Sequence, residues 1–249
     1  MNNFNRFQGK VAFIQGGSRG IGAAIVERLV SEGASVAFTY VLSHSKANAL
    51  VNELTSKGGK VIAIKADSTK PEDIRNAMGR VVELFGQLDI VVNNSGVLIW
   101  DNVENLTLDD WEKTINTNVR SVFIASNEAA KYMNNYGRII NISSTNAQRI
   151  PFAGGAIYGM SKSALSGLVK GLSRDLGHRG ITVNNILPGP VDTDLNPENS
   201  DTSEKVKAIG ALGRYGQAEE IANLVAFVAS AEAGYITGAD LMIDGGFSA

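Results

Sequence analysis

Seven short runs rich in valine and isoleucine alternate along this chain with longer stretches of helical spacing, and that alternation leaves few folds open. Val11–Gln15, Ser35–Tyr40, Val61–Lys65, Ile90–Asn93, Arg138–Ser143, Thr182–Leu187 and Leu241–Ile243 read as buried strands. Ile21–Ser31, Ser45–Lys57, Glu72–Phe85, Asp109–Met133, Tyr158–Gly177 and Ala218–Ser230 read as amphipathic helices between them. Strands that are apolar on both sides need cover on both faces, and helices in strict alternation supply it around a parallel sheet. The expected class is α/β, a doubly wound parallel sheet with helices on both faces. With 249 residues, no linker and no internal repeat, residues 1–249 read as one domain. Pro71, after Asp67, Ser68 and Thr69, marks a helix start. Pro188–Gly213 breaks the pattern: it holds Pro188, Pro190 and Pro197, follows a strand's carboxyl end, and is expected to be a lid over a ligand.

Composition removes several classes of chemistry. Lysine and arginine number 23 against 25 aspartates and glutamates, so no basic excess points to a nucleic acid. Without cysteine the chain has no disulfide and no thiolate, and His44 and His178 alone leave little for a zinc site, so no metal is expected. Met1–Gln8 lacks the apolar run of a secretory signal and no stretch approaches a membrane span, which gives a cytoplasmic expectation.

The first strand runs into Gly16-Gly17-Ser18-Arg19-Gly20-Ile21-Gly22 and then a helix. Glycines here allow a tight turn, a close approach of backbone N–H groups to a pyrophosphate, and close strand–helix packing, which makes the sheet Rossmann-type. The helix N-terminus adds unpaired donors and a positive dipole end. An NAD site usually carries an acid near the end of the second strand, yet Thr39-Tyr40-Val41-Leu42 has none. Arg19 suits a 2′-phosphate, so NADP(H) is favoured over NAD(H).

Tyr158 and Lys162, four residues apart, share one face of a helix. An ammonium one turn away is expected to lower the phenol's pKa and so fit it for proton exchange with a substrate oxygen. The strand before them, Gly137–Ser144, ends in hydroxyls at the edge where parallel sheets bind ligands.

The loop Gly16–Gly22, Asn93-Asn94-Ser95-Gly96, the strand end Asn141–Ser144, Tyr158 with Lys162, and Pro188-Gly189 together closely resemble the short-chain dehydrogenase/reductase family, in order and separation from Lys10 to Gly246. The chain looks most like bacterial members of the 3-oxoacyl-carrier-protein reductase and carbonyl reductase type. The resemblance implies that Tyr158 is the general acid, Lys162 its tuner and a holder of the nicotinamide ribose, Ser144 a donor to the substrate carbonyl, and Asn118 part of a water-linked relay. It places Gly16, Ser18, Gly20 and Ile21 around the pyrophosphate, Asp67 on the adenine, Asn94 on the adenosine side, and Val191 and Thr193 on the carboxamide. Arg19, Tyr40, Ser68, Gly96, Pro188 and Gly189 complete the implied cofactor set. Asn146 and Phe152 join Ser144 and Tyr158 on the substrate side. Plainer roles stand beside these: Asp67 as a helix cap, Asn94 as a strand-end turn, Thr193 as a turn former, Asn118 as a polar helix residue.

Three positions depart from the family pattern. Gln15 stands where threonine is common and Ser95 where alanine is. Ser144 lies 14 residues before Tyr158, one more than usual, so Thr145 meets the usual count. Ser144 is preferred because the strand end fixes its direction, with the extra residue taken up in Asn146–Gly155.

The function expected is oxidoreduction: a nicotinamide cofactor reduces a ketone or aldehyde, reversibly. The alternative is a nucleotide-binding regulator or sensor on the same fold with little turnover. Trp100, Ile150, Phe152 and Leu195 are candidates for an apolar substrate pocket; Arg149, Lys205, Lys207 and Arg214 are candidates for a basic entrance to an acyl-carrier protein. A homotetramer is implied by the likeness of Ile236–Phe247 to the family's subunit interface.

Overall fold

The computed structural model describes residues 5–249; the opening of the Met1–Gln8 stretch, Met1–Phe4, lies outside them. Seven strands form one parallel sheet in the order β3-β2-β1-β4-β5-β6-β7, where β1 is Val11–Gln15, β2 Ser35–Tyr40, β3 Lys60–Lys65, β4 Ile90–Asn93, β5 Arg138–Ile142, β6 Thr182–Pro188 and β7 Asp240–Ile243. The helices are α1 Gly20–Ser31, α2 His44–Ser56, α3 Pro71–Phe85, α4 Leu108–Ile115, α5 Ser121–Tyr132, α6 Ala156–Leu176, α7 Ser203–Lys207 and α8 Ala218–Ala229. Among the described residues no helix is long and apolar enough to cross a membrane.

Period-two alternation divides each strand between two cores. Ala12 and Ile14 of β1 pack with Ile25 and Leu29 of α1 and Val225 of α8. Phe13, Val91, Ile139 and Val183 point the other way, onto Met78 of α3, Ala129 of α5 and Val169 of α6. Both faces are thus sealed by helices, as continuous apolar strands require. Strand order reverses between β1 and β4, and the loops leaving these two strands diverge into a crevice where such sheets bind ligands.

Beneath that crevice the sheet carries a polar row. Asn93, Asn141, Asn185 and Asp240 are paired in register across β4 to β7. Their side chains bond in series: Asn93 to Asn141 at 2.8 Å, Asn141 to Asn185 at 3.0 Å, and Asn185 to Asp240 at 2.7 Å. Gln15 extends the row on β1, buried, with neither amide atom hydrogen-bonded within the protein.

Several boundaries differ from expectation, for physical reasons. The expected helix Asp109–Met133 is interrupted by a π-turn at Asn116–Arg120, and it begins one residue earlier because Thr107 and Asp110 form a reciprocal capping box. Pro71 does open α3, but its N-cap is Lys70 and no side chain caps it. Asp67 instead turns back on Thr69, accepting from its backbone N–H at 2.9 Å and its hydroxyl at 2.8 Å. The Pro188–Gly213 segment is not wholly irregular: it contains α7, and Thr193, Leu195, Asn196, Thr202, Lys205 and Val206 from it flank the crevice.

Candidate active site

A cleft of about 540 Å³ opens over the ends of β4, β5 and β6. One wall is the turn after β5 and the start of α6. Ser144 leaves β5 in extended conformation, and its side-chain oxygen accepts from the backbone N–H of Asn146 at 3.1 Å, which closes the next turn. The Ser144 hydroxyl stands near enough to the Tyr158 phenol to favour its ionised form. Thr145 points elsewhere: its hydroxyl donates to the Asp244 carboxylate at 3.1 Å. The strand end therefore directs Ser144, not Thr145, toward Tyr158.

Lys162 follows Tyr158 by one turn and is buried. Its ammonium donates to the Ile142 carbonyl oxygen at 3.0 Å, and no other protein acceptor is within bonding reach of it among the described residues. It stands 5.7 Å from the Tyr158 ring centroid, with no hydrogen bond to the hydroxyl. Burial pushes Lys162 down to about 8. Burial pushes the Tyr158 phenol above its ordinary value, and the nearby Ser144 hydroxyl opposes this only in part. The expected acidification of the phenol is outweighed in this structure by desolvation of the buried ring, which raises its pKa.

Asn118 lies in the π-turn, a local irregularity that often marks functional sites. Its amide donates to the Val97 carbonyl and the Ser161 hydroxyl, both at 3.0 Å, and its oxygen accepts from the Val97 N–H at 2.8 Å. It braces the loop after β4 against α6.

The other end of the crevice suits a dinucleotide. Gly16, with a φ of +70°, turns the chain out of β1. A β-carbon at Gly22 would stand 2.1 Å from the Gly16 carbonyl oxygen, so only glycine lets α1 approach this closely. No side chain caps α1, which leaves its first N–H groups to face an anion. Together with an ammonium that keeps two hydrogens free, these features fit the pyrophosphate and ribose of a nicotinamide dinucleotide.

The remaining predicted residues divide into three groups. Ile21, Asn94, Gly96, Asn146, Phe152, Pro188, Gly189, Val191 and Thr193 line the cleft with Ser144, Tyr158 and Lys162. Ser18, Arg19 and Gly20 line a shallower depression beside it. Others are engaged within the protein. The Asn94 amide holds the Gly16 carbonyl at 2.8 Å, Tyr40 bonds His44 at 2.8 Å, and Ser68 bonds Ser95 at 2.9 Å.

Trp100 and Leu195 do line the cleft, but Ile150 does not; it packs where Gly155 and Gly159 leave room at the start of α6. Trp100 faces Tyr158 at 6.3 Å between centroids. Leu98, Pro151, Val206 and Phe247 add to the apolar lining, and composition gave no signal for them. Phe247 arrives from the C-terminus, clasped by Arg149, which donates to the Phe247 and Ala249 carbonyl oxygens at 2.9 Å each. The expected basic entrance does not assemble. Arg149 is spent on the C-terminus, Lys207 on Glu198 and Glu204, and Arg214 on Glu220, leaving Lys205 alone at the rim.

Comparison with known proteins agrees with this geometry. A family model described as enoyl-(acyl carrier protein) reductase matches residues 16–248. The structure of a short-chain dehydrogenase/reductase from Serratia marcescens is 59% identical with a TM-score of 0.97, over 98% of this chain and 100% of that one. A short chain dehydrogenase from Burkholderia cenocepacia, solved in complex with NADP, is 48% identical with a TM-score of 0.96 over the same shares. The cyclic-di-GMP-binding biofilm dispersal mediator protein of Escherichia coli is 44% identical across 98% of this chain and 99% of its own length.

Proposed function

The chain belongs to the short-chain dehydrogenase/reductase family, and from that premise we propose that it reduces a free, hydrophobic aryl ketone with NADPH, or runs the reverse oxidation. The observation that carries this reading is the convergence of Ser144, Tyr158 and Lys162 on one cleft whose facing wall is aromatic and aliphatic.

Bound NADPH supplies the hydride that goes to the carbonyl carbon. The chain's own residues handle the oxygen. The Ser144 hydroxyl donates to the carbonyl oxygen and polarises it. The Tyr158 phenol, protonated at neutral pH as an ordinary tyrosine is, gives its proton to that oxygen as negative charge develops there. Lys162 places a positive charge beneath the ring, which offsets the phenolate left behind. Orienting both reactants against one another accounts for roughly 7–11 kcal/mol of barrier lowering in such sites.

NADP(H) is supported by Arg19 at the mouth of α1, by the lack of an acid at the end of β2, and by the NADP held by the Burkholderia relative. An aryl ketone is supported by Trp100, Phe152 and Phe247 around Tyr158. An acyl-carrier partner is disfavoured, since three of the four cations that would greet it are already engaged and Lys205 alone remains. The test follows NADPH absorbance across aryl ketones, β-keto esters and acyl-carrier thioesters, with the highest kcat/KM expected for aryl ketones. Higher values for the thioesters would overturn the substrate class.

A second reading, a nucleotide-responsive regulator with little turnover, draws on the likeness to the cyclic-di-GMP-binding protein of Escherichia coli. Tight cyclic-di-GMP binding by calorimetry, together with NADPH binding but no turnover across the panel, would favour it.

A further inference from the structure

One carboxylate of the segment over the cleft ties up both cations beside the glycine loop. Asp194 Oδ2 accepts from the Lys46 ammonium at 2.7 Å and lies 3.8 Å from Arg19 Nη1. The three residues come from three separate parts of the chain. Arg19 is the N-cap of α1, Lys46 lies in the first turn of α2, and Asp194 belongs to the segment after β6. Together with Ser18 and Gly20 they line one shallow depression against the start of α1. Two further acids line it, but neither pairs with these cations: Glu53 is paired with Lys57, and Glu27 makes no ion pair among the described residues. Of the acids lining the depression, Asp194 is the one on which both cations converge.

The contact is also mechanically linked to the substrate side. A β-carbon at Gly20 would meet the Thr193 methyl at 3.3 Å, so the segment rests directly on the glycine loop. Thr193 and Leu195, the neighbours of Asp194 on either side, line the substrate cleft.

We infer that Asp194 is an internal competitor of the cofactor's 2′-phosphate: it holds Arg19 and Lys46 when no phosphate is present and yields them when NADP(H) binds. This rests on the NADP(H) reading above. A phosphate monoester carries about −1.5 to −2 charge at neutral pH and three acceptor oxygens, so it displaces a single carboxylate from a pair of cations. NAD(H) carries no such group and leaves the pairing intact. Asp194 thus sets how strongly the chain discriminates between the two cofactors. It also ties the identity of the bound nucleotide to the position of the segment bearing Thr193 and Leu195.

The test is Asp194→Asn in the full chain, with NADPH and NADH titrated separately at low and high salt. All three side chains are about half exposed, so the variant is expected to keep the wild-type Tm. NADPH should bind about two- to tenfold more tightly at low salt, as the loss of two exposed ion pairs implies, with the gain fading at high salt and NADH unchanged. Adding Arg19→Ala should remove most of that gain. Equal weakening of both cofactors would make Asp194 a simple clamp and overturn the inference. So would an unchanged NADPH affinity in a protein whose wild type prefers NADPH. A wild type that binds NADPH and NADH equally would instead remove the NADP(H) reading itself, and the inference with it.

Discussion

The Lys162 ammonium stands 5.7 Å from the centroid of the Tyr158 ring, beneath its face, and makes its hydrogen bond to a backbone carbonyl rather than to the phenol. The two residues act on each other through charge, not through a shared proton. The phenol is protonated at neutral pH at its ordinary value, and burial raises that value further, so the resting site holds the proton that carbonyl reduction consumes.

Tyr158→Phe removes that proton and nothing else of comparable size. Turnover should fall by about 10²- to 10⁴-fold, the usual worth of a positioned acid. NADPH affinity and Tm should stay near wild type. Activity within tenfold of wild type would assign the proton to another group.

Lys162 carries a stability cost that depends on pH. Its pKa is 10.5 ordinarily and about 8 when folded. Below about 8 both states hold the proton, and the folded chain bears the full cost of a buried charge. Between about 8 and 10.5 the unfolded chain retains more protons than the folded one, so stability rises with pH across that window. Lys162→Met never buries a charge. At pH 7 it should be more stable than wild type by up to about 3 kcal/mol, reduced by the lost Ile142 hydrogen bond, and also inactive. Urea denaturation should show this advantage shrinking as pH rises from 8 toward 10.5. A constant difference would contradict the origin in charge burial.

Ser144 and Thr145 separate chemistry from scaffolding. Ser144→Ala should lower kcat/KM for reduction by about 10²-fold or more with little change in Tm, since its hydroxyl faces Tyr158. Thr145→Val removes a bond to Asp244, which also holds Ser248 beside Phe247. That variant should lose about 1 kcal/mol of stability and raise KM for bulky ketones through a looser Phe247, with kcat nearly kept. The reverse pattern would give Thr145 the catalytic part.

What could be read from the sequence followed the range of the interactions involved. Strand positions such as Val11–Gln15 and Ile90–Asn93 were legible to the residue, because burial on both faces leaves uninterrupted apolar runs. The π-turn at Asn116–Arg120 was not, since its mostly polar residues, Asn-Thr-Asn-Val-Arg, carry no spacing that tells a π-turn from a continuous helix. Tyr158 and Lys162 are neighbours from their spacing, but the direction of the phenol's shift is set by its burial, which depends on every element packed around it and leaves no mark in the spacing. Phe247 escaped notice because its place in the cleft is fixed by Arg149, 98 residues away. The apparent basic entrance failed for the same reason: each cation's partner is set by the fold, and composition shows only the cations.

Gly96 offers a test of whether protons reach Lys162 by way of Asn118. A β-carbon there would stand 3.5 Å from Asn118 Oδ1 and 3.6 Å from Lys162 Nζ, close enough to fill the space between them without collision. Both atoms face that space with capacity to spare: Oδ1 accepts one bond from Val97, and the ammonium keeps two hydrogens unspent. A water joining them has the two polar partners it needs at minimum. Gly96 has no positive φ, so alanine fits its backbone, and Gly96→Ala should fold with an unchanged Tm. If the methyl displaces a relay water, kcat should drop at least about tenfold, the solvent isotope effect on kcat should change, and NADPH affinity should hold. A rise in the NADPH dissociation constant with kcat unaltered would make Gly96 a cofactor contact instead, and leave Asn118 as the brace between Val97 and Ser161 that its three hydrogen bonds describe.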